Sequence, residues 1–325
     1  MGKTGYKLIF TGQIKRLDAF ISSRHEEFSR EFSKKLIADG LALVNGKKRK
    51  PSHLLKEGDQ VELHLPERAA RPFEFEKLVL FEDASLLAIA KSAGLCVHPT
   101  DSNWERTPQA SLLGSETLVS LLFSARPKLA ALPRLGLVHR LDRDTSGVML
   151  VAKTEAARRA LTEQFRDRLA KKLYLAAVSG RPAKDKGIID APIGRASGFK
   201  KIKVWEYGRD AVTEFTVKEK TKKHALLDIR PQTGRTNQIR IHLAYIGHPV
   251  IGDKLYGGES AARMLLHSAK ITFFHPDTGK SKTISAPVPP EFKKAWEEVK
   301  AGEIGTVTSH RSQISSKREK KGNRD

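Results

Sequence analysis

From about residue 77 to residue 300 the chain is one continuous succession of short strand patterns, which limits the available folds more than any other feature. Leu78-Val79-Leu80-Phe81, then Glu82-Asp83-Ala84-Ser85, then Leu86-Leu87-Ala88-Ile89-Ala90 reads as strand, turn, strand. Val148-Met149-Leu150-Val151-Ala152 is wholly apolar, which predicts a strand buried on both faces. Tyr174–Val178, Ala211–Val217 and Ala225–Ile229 add further strands. Ala157, Leu161 and Phe165 fall at helical spacing, and Ile239–Ile246 reads as a helix that Gly247 closes. Hairpins with few regular helices predict an α+β domain built on a mixed, largely antiparallel sheet, not a doubly wound fold. No glycine-rich nucleotide motif or internal repeat interrupts it.

Residues 13–66 read as a small module ahead of that domain, with 67–76 as a linker. Leu17, Phe20 and Ile21 share one helix face; Phe28, Phe32, Leu36 and Ile37 share another, and Gly40 ends that second helix. Leu41–Val44, the turn Asn45-Gly46 and the basic return Lys47-Lys48-Arg49-Lys50 form a hairpin, followed by the alternating strand Gln60–Leu65. This helix-helix-hairpin order resembles the S4 RNA-binding domain at Arg16-Leu17-Asp18, Ser29-Arg30, Leu36-Ile37, Gly40, Val44-Asn45-Gly46 and Gly58-Asp59. The resemblance implies an RNA grip through Arg16, Arg30, Lys34, Lys35, Lys47 and Lys48, contacts that position a phosphate backbone without reading sequence.

Charge agrees. With 59 Lys+Arg against 37 Asp+Glu the chain carries a formal +22, which calls for a polyanionic partner. Neither a membrane-spanning apolar run nor the apolar core of a signal peptide is visible, so RNA is expected over a membrane surface and a cytoplasmic setting over an exported one. Thr306–Asp325 reads as a basic disordered tail. Cys96 is the only cysteine and lies in an apolar stretch, so it is expected to be a buried small hydrophobe. With no disulfide and no His-Glu-x-x-His arrangement, neither a metal nor a cofactor is expected, and a monomer is the default.

The chemistry concentrates in His139-Arg140-Leu141-Asp142-Arg143-Asp144-Thr145-Ser146-Gly147, a polar loop that enters the buried strand. Flanking guanidiniums keep Asp142 and Asp144 ionised, which suits a nucleophile better than a general acid. A salt-bridged structural loop explains the same residues, and the pattern alone does not choose between the two aspartates. A second polar segment, Arg230–Arg240, joins a strand to a helix; folded against the first loop, Arg235 would pair with an aspartate. Tyr174, on a strand with small neighbours, reads by itself as packing.

Val138-His139-Arg140-Leu141-Asp142, followed by Thr145-Ser146-Gly147, closely resembles the active-site motif of RluA-type RNA pseudouridine synthases. In family order stand Lys91-x-Ala93-Gly94-Leu95, Lys172-x-Tyr174, Ala191-Pro192-Ile193 and Thr233-Gly234-Arg235-Thr236. Gly252-Asp253-x-x-Tyr256-Gly257, Leu265-Leu266-His267-Ser268 and Phe274-His275-Pro276 complete the series, so the match runs from about Arg16 to Pro290. The resemblance implies an isomerase turning uridine into pseudouridine in structured RNA, large-subunit ribosomal RNA ahead of tRNA. It makes Asp142 the catalytic carboxylate, Arg235 its partner and Tyr174 the ring stacked on the base; Arg140 fills the gap left by the flipped nucleotide and Leu266 touches the uracil. Asp144 then falls at a variable, structural position. Two residues depart from the family pattern, Asn237 for a histidine and Ser92 for a proline. The rival readings are a non-catalytic RNA-binding or ribosome-assembly factor and, more distantly, a base-releasing glycosylase.

Overall fold

The computed structural model describes residues 5–25, 28–65, 75–100, 102–113, 115–195 and 201–302. The expected linker, for the most part, and the expected tail lie outside these residues. The N-terminal part comprises strands β1 (Gly5–Ile9) and β2 (Lys15–Arg16), helices α1 (Leu17–Arg24) and α2 (Arg30–Ala38), and strands β3 (Ala42–Val44), β4 (Lys47–Lys48), β5 (Leu54–Leu55) and β6 (Gln60–His64). Its main sheet runs β1-β6-β3-β4. Asn45 and Gly46 both have positive φ, 51° and 72°, as a two-residue hairpin turn requires. Ser29 caps α2 by accepting from the Phe32 amide at 3.0 Å. β1 lies ahead of the expected boundary at residue 13, and its pairing with β6 makes it part of this unit.

The larger part holds β7 (Val79–Glu82), β8 (Leu86–Lys91), α3 (Asn103–Arg106), α4 (Leu118–Ala125), β9 (Ser146–Ala152), α5 (Glu155–Arg166), β10 (Lys171–Ser179), β11 (Lys186–Asp190), β12 (Ile193–Gly194), β13 (Lys203–Val204), β14 (Val212–Lys220), β15 (His224–Pro231), α6 (Gln238–Tyr245), β16 (Leu266–Phe274), β17 (Ser281–Ser285) and α7 (Pro290–Ala301). Nine strands form one sheet in the order β11-β14-β15-β10-β16-β9-β8-β7, with β17 beside β16. Its neighbours are antiparallel except β16 and β9, which run parallel. The expected mixed, largely antiparallel α+β architecture is what the chain adopts.

The all-apolar run of β9 is explained by two cores meeting on it. Met149 and Val151 pack with Leu87, Ile89, Leu118 and Leu122 on one face. Val148, Leu150 and Ala152 pack with Ala157 and Leu161 of α5 and with Phe273 on the other. Each Leu- or Val-sized side chain buried this way contributes about 1.5–3 kcal/mol. The first core continues through Trp104 and Phe75 into Phe32, Phe20 and Leu63 of the N-terminal part, so the two parts share one apolar interior. Polar contacts reinforce that junction: Ser29 meets Asn103, and the Lys35 ammonium donates to the Leu113 carbonyl at 3.2 Å.

Gly147 is where the polar loop becomes β9 and where β16 comes closest. Its φ is +124°, and a Cβ there would lie 2.2 Å from the Ser268 carbonyl oxygen. Gly147→Ala is therefore expected to cost about 3 kcal/mol, because the obstacle is backbone and the dihedral is unfavourable for any side chain. Thermal melting measures it; an unchanged melting temperature would contradict the tight approach.

Candidate active site

A cleft of about 510 Å³ opens where the 139–145 loop, β10, the start of β16 and the segment leading into α6 converge. Asp142, Tyr174, Leu266, Arg140 and Arg235 all line it, so residues far apart in sequence meet there. Among the described residues no cluster of His, Cys, Asp or Glu could hold a metal ion, and no helix is long and apolar enough to cross a membrane.

The loop is held from beneath. Lys91, 1% exposed at the end of β8, donates to the carbonyls of Ser92, Leu95 and Arg143 at 2.8, 2.8 and 2.9 Å. Burial lowers its ammonium to about 8, but three carbonyls occupy its three protons. His139 stacks on Phe165 at 4.5 Å and accepts the Leu150 amide at 2.8 Å through Nε2. Burial first, then Lys172, pushes its pKa down to about 3, so it is a neutral strut between loop and strand. Asp144 pairs with its neighbour Arg143 at 2.9 and 3.1 Å, facing outward. That geometry supports a structural role for it.

Asp142 meets a different arginine from the one expected. Arg240 Nη1 donates to Asp142 Oδ2 at 3.3 Å, while Arg235 donates through Nε to the Asp210 carbonyl at 3.0 Å. The cause is position on the chain. Arg235 precedes α6 and bonds to the Asp210 carbonyl, whereas Arg240 lies in the first turn of that helix and reaches the loop. Arg240 is fixed by a two-pronged pair with the fully buried Asp253, Nε to Oδ2 at 2.7 Å and Nη2 to Oδ1 at 2.8 Å. Asp253 Oδ1 also accepts the Leu255 and Tyr256 amides at 3.0 and 3.1 Å, so backbone as well as Arg240 fixes that carboxylate. Arg240 further lies over the Tyr256 ring at 5.1 Å, and its pKa is raised by Asp253 and Asp142 against burial, the largest influence, which lowers it. It is a permanent cation.

Asn237 is placed on the same nitrogen. In a left-handed conformation (φ 55°) ahead of α6, it accepts from Arg240 Nη1 at 3.1 Å and donates to the Tyr256 hydroxyl at 3.2 Å. Asparagine tolerates that conformation better than most residues. The departure from the family pattern thus stands one bond from the carboxylate's partner. Arg240, Asp253 and Tyr256 stand in the motif segments of the sequence, but none had a role assigned from it. Their association depends on which side of α6 faces the loop, and five apolar or polar residues of that helix are buried without a clean stripe.

Tyr174 and Lys172 alternate along β10, with Tyr174 packed among the residues of the core under α6. Burial, opposed by a hydrogen bond with Ser268 and reinforced by Asp142, pushes the Tyr174 phenol up to about 12. Burial lowers Lys172 to about 8. Leu266 is 3% exposed at the first position of β16. Ser92 contributes its carbonyl to Lys91, a bond that any residue at that position can make. Cys96 is half-buried, more open than expected.

The basic residues of the N-terminal part divide. Arg16 and Arg30 both reach the buried Asp18, at 3.0 and 3.3 Å, and remain 42% and 54% exposed. Their pull, with the hydrogen bond to Arg16 largest, holds Asp18 at about 2. Lys34 pairs with Glu31 at 2.6 Å. Lys35, expected on the RNA face, instead helps fasten the two parts together, because α2 packs against residues 103–113. Lys47 and Lys48 are exposed, and Lys48 lines a shallow basic hollow with Arg49, Lys50 and His53.

Comparison with known proteins identifies both parts of the chain. The RNA pseudouridylate synthase family model matches residues 85–245, and the S4 domain matches residues 15–61. The chain is 36% identical over 307 residues to an RNA pseudouridine synthase of Aquifex aeolicus, covering 88% of this chain and 94% of that protein. It is 38% identical over 300 residues to the ribosomal large subunit pseudouridine synthase D of Xanthomonas campestris, covering 86% and 87%. A solved structure, human RNA pseudouridylate synthase domain containing 1, aligns with a TM-score of 0.52 at 25% identity, covering 65% of this chain and 83% of that one. With an S4 domain docked on a catalytic sheet and a carboxylate at the cleft, the chain belongs to the RNA pseudouridine synthase family, whose members isomerise uridine in RNA.

Proposed function

We propose that the chain converts specific uridines of large-subunit ribosomal RNA to pseudouridine, with Asp142 as the catalytic carboxylate. The observation that carries this reading is the linked set Asp142–Arg240–Asp253 on the cleft wall. A fully buried Asp253 holds Arg240 in place, and Arg240 in turn presents a fixed positive charge to a carboxylate still 25% exposed to the cleft. A carboxylate so held can attack C1′ or support a glycal as the N1–C1′ bond breaks. The base then rotates and C5 bonds to C1′, with the C5 proton lost and N1 protonated, so no redox partner is needed. Tyr174, kept as the neutral phenol, offers its ring to the base and its hydroxyl as a hydrogen-bond donor near the sugar. Arg140, at the cleft mouth, fills the space left in the stack, and Leu266 gives the uracil an apolar contact.

The ribosomal assignment is supported by relatives whose names specify the large ribosomal subunit and by a basic S4 domain suited to a phosphate backbone. The test is incubation of the purified protein with deproteinised large-subunit RNA and, separately, with tRNA, followed by pseudouridine mapping. Pseudouridine at discrete positions of the large-subunit RNA is the expected result. Modification of tRNA alone would move the substrate assignment; release of free uracil would indicate a glycosylase. RNA binding without product on either RNA would leave a non-catalytic factor.

A further inference from the structure

Arg140 stands at the mouth of the cleft, yet it is not a loose surface arginine. Its Nη1 donates to Nε2 of His98 at 3.0 Å. The other ring nitrogen of His98, Nδ1, lies 2.7 Å from the Pro99 carbonyl oxygen. A carbonyl can only accept and a guanidinium can only donate, so both ring nitrogens have defined roles. Nδ1 donates to Pro99 and Nε2 offers its lone pair to Arg140, the one assignment of roles that satisfies both partners.

The ring is also held from its face. His98 stacks on Trp104 at 5.4 Å with planes 20° apart, and Trp104 is 1% exposed. Arg134 covers Trp104 at 5.7 Å and is itself paired with Glu105 at 3.4 Å. Trp104 belongs to the segment on which the S4 domain docks, through Ser29 to Asn103 and Lys35 to the Leu113 carbonyl. An acceptor for Arg140 is thereby held by the chain at Pro99 and tied to the body of the protein through Trp104. None of these contacts is needed to close the sheet, and His98 takes no part in the chemistry assigned to Asp142.

We propose that His98 is a positioning residue for this reaction: it sets Arg140 in advance at the place where a flipped nucleotide leaves a gap in the RNA stack. The proposal rests on the reading of Arg140 as the gap-filling side chain. An arginine with four rotatable side-chain bonds loses much freedom when it enters a stack; a fixed acceptor at its guanidinium tip lowers that cost before RNA arrives. The benefit belongs to flipping a base out of structured RNA, and a uridine already unstacked gains little from it.

The experiment is a double-mutant cycle of His98→Phe and Arg140→Ala, read as single-turnover pseudouridine formation on two RNAs. One carries the target uridine in a folded stem-loop, the other in an unpaired flexible strand of the same local sequence. Phenylalanine keeps the stack on Trp104 and removes the acceptor. Expected are an about tenfold slower reaction on the folded RNA for His98→Phe, little change on the flexible one, and no further loss when it is added to Arg140→Ala. His98→Gln, whose amide oxygen can accept from Arg140, restores most of the rate. Equal slowing on both RNAs, or a His98→Phe effect that multiplies undiminished onto Arg140→Ala, overturns the proposal, including the case in which phenylalanine merely harms the fold. A normal rate for Arg140→Ala alone would instead sink the underlying reading of Arg140.

Discussion

Asp142→Asn is expected to slow pseudouridine formation by about 10⁴-fold or more while leaving RNA affinity unchanged or slightly higher. The two side chains have the same shape, so the asparagine still offers Arg240 an acceptor at the distance now held by Oδ2. The substitution removes only the negative charge. If the carboxylate attacks C1′, an amide cannot replace it; if it stabilises charge developing at C1′, the amide dipole replaces little of it. Binding moves the other way, because one negative charge fewer in a cleft lined by Arg140, Arg166, Arg168 and Arg235 reduces repulsion of phosphates. Folding changes by no more than about 1 kcal/mol, since Asp142 is partly exposed and Arg240 keeps Asp253. Filter binding, melting and product quantification on one preparation separate the three effects. A variant retaining even a tenth of the wild-type rate would remove Asp142 from the chemistry.

Arg240 and Arg235 are expected to respond in opposite ways. Arg240→Met leaves Asp253 fully buried without a countercharge, a loss of about 3–5 kcal/mol in stability. It also removes the donor to Asp142 and slows turnover by about 10²–10³-fold. Arg240→Lys keeps the charge but lacks the planar fork, so one ammonium cannot reach Asp253, Asn237 and Asp142 in the present geometry. That variant should fold better than the methionine one and still turn over slowly. Arg235→Met, at the rim and bonded to a backbone carbonyl, should weaken RNA binding and spare the single-turnover rate at saturating RNA. The reverse outcome, with Arg235 decisive for the rate and Arg240 not, would mean that the Asp142–Arg240 contact is incidental.

The parts of this fold with local signatures were legible in the chain. Asn45-Gly46 announces its hairpin through two residues that accept positive φ, and Val148–Ala152 announces a strand covered on both sides. Ala157, Leu161 and Phe165 mark α5 by spacing alone. Residues 92–137 carry no such mark, because their helices are short and prolines at 108, 127 and 133 restart the chain repeatedly. The helix α7 had a readable pattern in Phe292, Ala295, Trp296 and Val299, but it closes the far face of the sheet and carries no motif.

The site divides along the same line. Asp142 and Tyr174 could be named because each lies within a compact motif. The partner of Asp142 could not, because Arg235 and Arg240 are both in the same polar segment and only the direction of α6 distinguishes them. Asp253, which fixes Arg240, is 13 residues further on, reached through the turn at Gly252. Through-space partners of this kind leave no periodic trace.

The single parallel pairing in the sheet has a consequence for how the protein is made. Ser146 and Gly147 are joined to His267 and Ser268, and Ser146 bonds to His267 across 121 positions. A chain growing from the ribosome completes the S4 sheet once His64 has emerged, but the strand flanking the Asp142 loop arrives only with Leu266. At ordinary rates of synthesis that interval lasts roughly 10–40 s. During it the nascent chain has its means of holding RNA and lacks the means of altering it. The cleft is therefore a property of the finished protein, and a messenger truncated between β6 and β16 encodes the strands of the S4 sheet without a complete cleft.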